Sequence, residues 1–171
     1  MNDELESQTL AVHHSSFIIP RLSAPKGFFM ARIHLALSLK QPWATLLAHG
    51  RKTIEIRRWP TNRRGRILIH AARIPDPRPE AWALVPDELR EHAQRVGGII
   101  GVGELNDCLV YRTLEIFITD REKHLNDPSW FQGPVMYGFV FENLKTLPFR
   151  RYPGWMRFFD VEHSALRGID G

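Results

Sequence analysis

Three side chains able to transfer protons or to hold a polar ligand lie close together in the segment KTIEIR: Lys52, Glu55 and Arg57. Ile54 and Ile56 alternate with polar residues, which predicts a strand whose apolar side chains face the core. A carboxylate with positive neighbours stays ionised, and a buried lysine can act as an acid or a base. The segment therefore predicts a polar cluster in a cleft, with an internal ion network that serves only stability as the alternative.

Basic residues are concentrated around this cluster. Between Gly50 and Arg66 the chain carries seven basic residues and one acid, whereas its overall net charge is only +4. Arginine matches phosphate oxygens, so this concentration indicates a polyanionic partner. The predicted phosphate contacts are Lys40, Arg57, Arg58, Arg63, Arg64 and Arg66.

Aromatic and amide side chains accompany these basic residues. Gln41 and Trp43 open a predicted helix, and the first N–H groups of a helix attract phosphate. Trp59 and Trp130 are predicted to stack on bases, and Tyr137 is predicted to wall a base-sized pocket together with Trp130. Core packing is the alternative role for Trp43, and closing one end of the fold is the alternative role for Trp59.

The elements that must position these residues are short. Alternation predicts strands over 35–39 and 53–56. Further strands are predicted over 67–71, 99–105, 135–141, 144–149 and 156–161, with 135–141 and 144–149 paired. Helices are predicted from 43 to the terminator Gly50, from 80, from 86 to about 95, and weakly over 111–126. We therefore expect an α+β fold, a small mixed β-barrel with helices inserted after the first and third strands.

Composition narrows the class of protein. The 171 residues suit one domain, which we place at 31–163 between an N-terminal extension (1–30) and a C-terminal tail (164–171). No apolar run is long enough for a membrane span. Cys108 is the single cysteine, which excludes an internal disulfide and favours the cytoplasm. Zinc-type spacings of Cys and His are absent from the sequence, so no metal and no cofactor are predicted.

The segment 38–57 resembles an ASCH domain. The pattern of that family is a helix followed by G-x-K-x-x-E-x-R, here Gly50, Lys52, Glu55 and Arg57. The sequence RGR ending at Arg66 resembles the continuation found in many members, and later segments extend the resemblance over most of 34–162. The resemblance implies a PUA-like fold with the motif side chains in a cleft.

The same resemblance implies a function connected with nucleic acids. Family members are implicated in binding RNA or DNA, a ribonuclease activity is attributed to one, and some small bacterial relatives are amidohydrolases of acetylated cytidine. In that amidohydrolase branch a lysine works with a threonine at the position of Glu55. This chain keeps Lys52 but departs at Glu55, with Thr53 on the same predicted strand face.

Three functions follow from these observations. The first is a nucleic-acid-binding module, with RNA favoured over DNA, in which Lys52 and Glu55 read a polar edge. The second is a hydrolase acting on RNA or a modified nucleoside, with Lys52 and Glu55 as the catalytic pair. The third is a module that binds a protein partner through its aromatic surface.

Overall fold

The structure is a computed structural model, and it describes residues 33–168. The predicted extension 1–30 lies outside the described residues. Part of the predicted C-terminal tail is packed on the domain, because Leu166 is buried in a cluster with Ala36, Leu68 and Val161. Within residues 33–168, no helix has the length and apolar character that crossing a membrane requires.

Six strands form one mixed sheet. In chain order they are β1 (Ile33–Leu39), β2 (Ile54–Arg57), β3 (Gly65–Ala71), β4 (Gly98–Tyr111), β5 (Met136–Arg151) and β6 (Phe158–Glu162). Their order across the sheet is β2-β5-β4-β3-β1-β6, and β1 runs parallel to β3 while the other pairs are antiparallel. The hydrogen-bonded ladder starts at β2 and ends at β6, so the mixed α+β fold is confirmed and the closed barrel is not.

Helices lie where the sequence predicts them. The first, α1 (Trp43–Ala48), follows β1, and Gly50 adopts a left-handed φ of 68° just after its end. Two more, α2 (Pro79–Ala83) and α3 (Arg90–Ala93), follow β3 and flank a 3-10 turn at Asp87–Leu89. The last pair, α4 (Leu114–Thr119) and α5 (Arg121–His124), follows β4 and is succeeded by a 3-10 turn at Pro128–Trp130.

The predicted pairing of 135–141 with 144–149 is wrong. Both segments belong to the single strand β5, which pairs with β4 along its length. The long β4–β5 ribbon bends at Asn143, which has a positive φ, and at register shifts along the ladder. The chain does not reverse direction at these points. Because β4 continues to Tyr111, it offers a partner to each half of β5.

The core lies between the sheet and α1. All six residues of α1 are buried, and Leu47 packs in a cluster with Leu37, Ile67 and Phe139. Burying every side of so short a helix fixes its start and end against the sheet. The chain that leaves α1 for β2 is thereby held at one position, and this chain contains Lys52.

Candidate nucleic-acid interface

A cleft of about 900 Å³ opens at the carboxyl ends of β1 and β3. These strands are parallel neighbours, so the residues that follow them, Lys40 and Arg73, reach the same edge of the sheet. The segment between β5 and β6, residues 152–157, forms another side of the opening. Parallel strand ends of this kind commonly build ligand sites.

The floor of the cleft is a connected set of charged side chains. Nζ of Lys52 donates to Oε2 of Glu55 at 2.8 Å, and the guanidinium of Arg57 lies 3.2 Å from the other carboxylate oxygen. Arg57 also donates to the backbone carbonyl of Ser38 at 2.9 Å. Among residues 33–168, Nε of Arg57 is buried without a hydrogen-bond partner. The floor thus presents the Glu55 carboxylate and part of the Arg57 guanidinium to the cleft, since both side chains are partly exposed and line it.

Lys52 is the most deeply buried charge in this set. Its exposed fraction is 2 %, and its ammonium lies 4.7 Å from the centre of the Trp43 ring. Burial lowers the pKa of Lys52, because it removes hydration from the charged form, and the attraction of Glu55 opposes that shift. Lys52 therefore gives up its proton more readily than an exposed lysine.

A second network, of hydrogen bonds, fixes Trp43, which forms one wall of the cleft. The indole N–H of Trp43 donates to a carboxylate oxygen of Asp76 at 2.8 Å, and Arg78 donates to the other oxygen at 2.9 Å. The Arg78 hydrogen bond holds the pKa of Asp76 well below its usual range. Trp130 stands behind this wall, with its ring 4.0 Å from the Arg78 guanidinium carbon and edge-on to Trp43.

His70 connects the floor to the segment 152–157. Its Nδ1 lies 3.1 Å from Oγ of Ser38, and its Nε2 lies 3.0 Å from the carbonyl oxygen of Tyr152. Burial lowers the pKa of His70, which favours the neutral ring. In the tautomer that suits both contacts, Nε2–H donates to Tyr152 and the Ser38 hydroxyl donates to Nδ1.

Positive charge dominates the lining of the cleft. Two carboxylates, Glu55 and Asp76, face six basic side chains: Lys40, Lys52, Arg57, Arg73, Arg78 and Arg157. A concave surface with this excess attracts anions and raises their local concentration.

A shallower depression adjoins the cleft. Trp59 and Arg63 line it, and Arg157 lines both cavities. Trp59 is half-buried and edge-on to Phe139 and Phe158, and Arg157 lies 5.2 Å from the centre of its ring. A basic path therefore connects the cleft to the depression.

The ASCH domain family model matches residues 37–156, which include the floor and most of the cleft lining. The chain belongs to the ASCH domain family. This family is generally associated with nucleic acids. A search of curated proteins finds no match.

Three solved structures with the same fold come from Zymomonas mobilis. Its ASCH protein superposes with a TM-score of 0.57 at 14 % identity, over 78 % of this chain and 91 % of that one. A tyrosine-to-phenylalanine mutant gives 0.56 at 15 % identity, over 80 % and 95 %. A serine-to-alanine mutant gives 0.56 at 14 % identity, over 78 % and 92 %. At these identities the likeness shows the fold alone.

Some of the residues predicted from the sequence line the cleft or the depression of this ASCH domain, and others lie outside both cavities. Lys40, Trp43, Lys52, Glu55 and Arg57 line the cleft, while Trp59 and Arg63 line the depression. The remaining predicted residues line neither cavity: Gln41, Arg58, Arg64, Arg66, Trp130 and Tyr137.

The residues outside the cavities have other contacts or other surroundings. Gln41 is fully buried, and its amide donates to the carbonyl of Arg95 at 2.8 Å. Arg64 pairs with Asp107 at 3.1 Å, and Tyr137 packs against the main core. Arg58 and Arg66 are exposed.

Sequence reasoning missed several cleft residues. Arg73, Asp76 and Arg78 follow β3, and Arg157 precedes β6. The parallel pairing of β1 with β3 could have predicted Arg73, Asp76 and Arg78, because it places the residues after β3 at the same sheet edge as Lys40. Within residues 33–168, no group of His, Cys, Asp or Glu is arranged to hold a metal ion.

Proposed function

We propose that this ASCH domain binds single-stranded nucleic acid, RNA in preference to DNA. The observation that carries the proposal is the set of six basic side chains around a cleft of about 900 Å³ whose floor holds the Glu55 carboxylate beside the Arg57 guanidinium. A cavity of this size holds a nucleotide. Phosphate contacts supply affinity, and polar groups inside the cleft recognise a base.

The basic side chains have different roles in this proposal. Lys40, Arg73 and Arg157 contact phosphates at the cleft mouth, and Arg63 continues the phosphate path beside Trp59. Glu55 and Arg57 read the polar edge of one base, and Lys52 holds Glu55 in place at 2.8 Å. Arg58 and Arg66 are exposed and add long-range attraction.

Fluorescence anisotropy with a labelled single-stranded RNA, across a series of salt concentrations, tests the proposal. The logarithm of the affinity should fall with the logarithm of salt, by about 0.7 for each phosphate neutralised. Arg73→Ala should weaken binding and reduce that slope by roughly one such step, whereas Arg112→Ala, an exposed arginine outside both cavities, should change neither. If Arg73→Ala and Arg112→Ala changed the affinity and the salt slope equally, the proposal that RNA binds at the cleft would be contradicted.

DNA of the same sequence tests the preference for RNA. The 2′-hydroxyl is the group by which a protein distinguishes the two polymers. Weaker binding of the DNA at every salt concentration supports the preference, and equal binding contradicts it.

A second candidate function is hydrolysis of RNA or of an acylated nucleoside in the same cleft. The observation that favours it is the lowered pKa of Lys52, whose Nζ lies 2.8 Å from Glu55. A neutral Lys52 would take a proton from the attacking water, and the leaving group would receive one from the Lys52–Glu55 pair. Chromatography of acetylated cytidine and of RNA after incubation tests this function, since turnover should vanish in Lys52→Met.

A further inference from the structure

Three exposed apolar side chains stand together at the mouth of the cleft. Ile74, Trp155 and Met156 have exposed fractions of 72 %, 75 % and 83 %, and all three line the cleft. They are the most exposed large apolar side chains among residues 33–168. Apolar surface displayed at a ligand cavity is typical of a binding surface.

The segment that carries Trp155 is fixed at both ends. On one side the Tyr152 carbonyl accepts from His70 at 3.0 Å, and Gly154 packs so tightly on that ring that an added Cβ would overlap it. On the other side the Arg157 carbonyl accepts from the backbone N–H of Ser38 at 3.3 Å. Trp155 is therefore held over the opening by a segment tied to β1 and β3.

Cations flank this apolar surface. Arg73 precedes Ile74 in the chain, and Arg157 follows Met156, and both arginines line the cleft. A ligand that covers the surface must present flat apolar faces and negative charges in close succession. Unpaired nucleobases joined by phosphates have this chemistry.

We propose that Trp155 is the stacking platform for an unpaired base next to the nucleotide held in the cleft, so that the partner must be single-stranded. This inference rests on the proposed function. Ile74 and Met156 pack against the edges of the stacked base, and Arg73 contacts its phosphate. A duplex is excluded because its bases are already stacked on one another.

Full-length protein and a labelled single-stranded RNA test the inference by anisotropy at several salt concentrations. Stacking is independent of salt, so Trp155→Ala should raise Kd by between about fivefold and 150-fold with an unchanged salt slope. Trp155→Phe keeps a ring and should retain most of the affinity, whereas Trp155→Leu should not. Ile116→Ala is the matched control, since Ile116 is exposed on α4 and lies outside both cavities.

The outcomes separate this inference from the proposed function. Wild-type protein that binds RNA, with Trp155→Ala equally tight, would overturn the stacking role and leave the proposed function standing. Binding of a fully paired duplex as tight as that of the single strand would overturn it as well. Absence of RNA binding by the wild type at the lowest salt would overturn both. Thermal unfolding should match the wild type for each Trp155 variant, because Trp155 is largely exposed.

Discussion

At the scale of single residues, Lys52 and Glu55 are an asymmetric pair. Lys52 is fully enclosed and has Glu55 as its carboxylate partner, whereas Glu55 is also contacted by Arg57. Removing the Glu55 carboxylate leaves the buried Lys52 ammonium without its carboxylate partner and with the Arg57 guanidinium nearby. Removing the ammonium leaves a carboxylate that still has a cation at 3.2 Å.

Glu55→Gln should therefore destabilise the fold more than Lys52→Met. We expect Glu55→Gln to lower the free energy of unfolding by about 2 kcal/mol or more, because a buried charge without its partner is costly. Lys52→Met keeps most of the side-chain volume and should stay within about 1 kcal/mol of the wild type. Urea denaturation measures both values, and a larger loss in Lys52→Met would show that the ammonium, not the carboxylate, holds the floor together.

At the scale of elements, α1 depends on a buried amide. Oε1 of Gln41 accepts from the backbone N–H of Thr45 at 3.1 Å, and its Nε2 donates to the carbonyl of Arg95. This side chain joins the start of α1 to the segment that follows α3. Its full burial separates it from the cleft lining, although its sequence position suggests a ligand contact.

Gln41→Ala should lower the free energy of unfolding by about 2 kcal/mol, because it leaves the buried backbone N–H of Thr45 without its partner. RNA affinity of the folded variant should equal that of the wild type. Gln94→Ala is the matched control, since Gln94 is exposed, and it should change neither quantity. A loss of RNA affinity in folded Gln41→Ala would return Gln41 to the binding surface.

The elements themselves were largely predictable from sequence. The apolar run over 67–71 and the terminator Gly50 predicted β3 and the end of α1, because local pattern decides both. The continuity of β5 was not predictable, since it depends on the length of its partner β4. Arg73 and Arg157 were missed for the same kind of reason, because strand order across the sheet places them beside Lys40.

At the scale of the whole molecule, two buried histidines couple folding to pH. Burial lowers the pKa of both His70 and His124 from 6.5. For His124 the structure gives a further reason, because Nδ1 accepts from the backbone N–H of Asn126 at 3.0 Å and cannot do so when protonated. The unfolded chain therefore binds protons near pH 6.5 that the folded chain does not.

Stability should fall as pH decreases below about 6.5, by up to about 1.4 kcal/mol per pH unit for each histidine. Two carboxylates that are buried or half-buried and have a lowered pKa, Asp76 and Asp120, lose their contribution only at lower pH, near and below 3.8. Urea denaturation between pH 7.5 and 5 checks the slope. Constant or rising stability over that range would show that neither ring is held neutral.

The charge of the whole cleft was only partly visible in the sequence. Of the basic residues between Gly50 and Arg66, Lys52 and Arg57 line the cleft and Arg63 lines the depression. The cluster's other arginines lie outside both cavities: Arg51, Arg58, Arg64 and Arg66. The basic residues at the cleft mouth come from three separate parts of the chain: Lys40, Arg73 and Arg157. The predicted cytoplasmic location and the protein-partner alternative stay predictions.

The most direct test of nucleic-acid binding uses full-length wild type and Lys52→Met with end-labelled single-stranded RNA, resolved on native and denaturing gels over a salt series. We predict a shifted complex that dissociates as salt rises, with the RNA intact in both proteins. No shift at the lowest salt would contradict binding. Cleavage products that disappear in Lys52→Met would instead identify the cleft as a catalytic site.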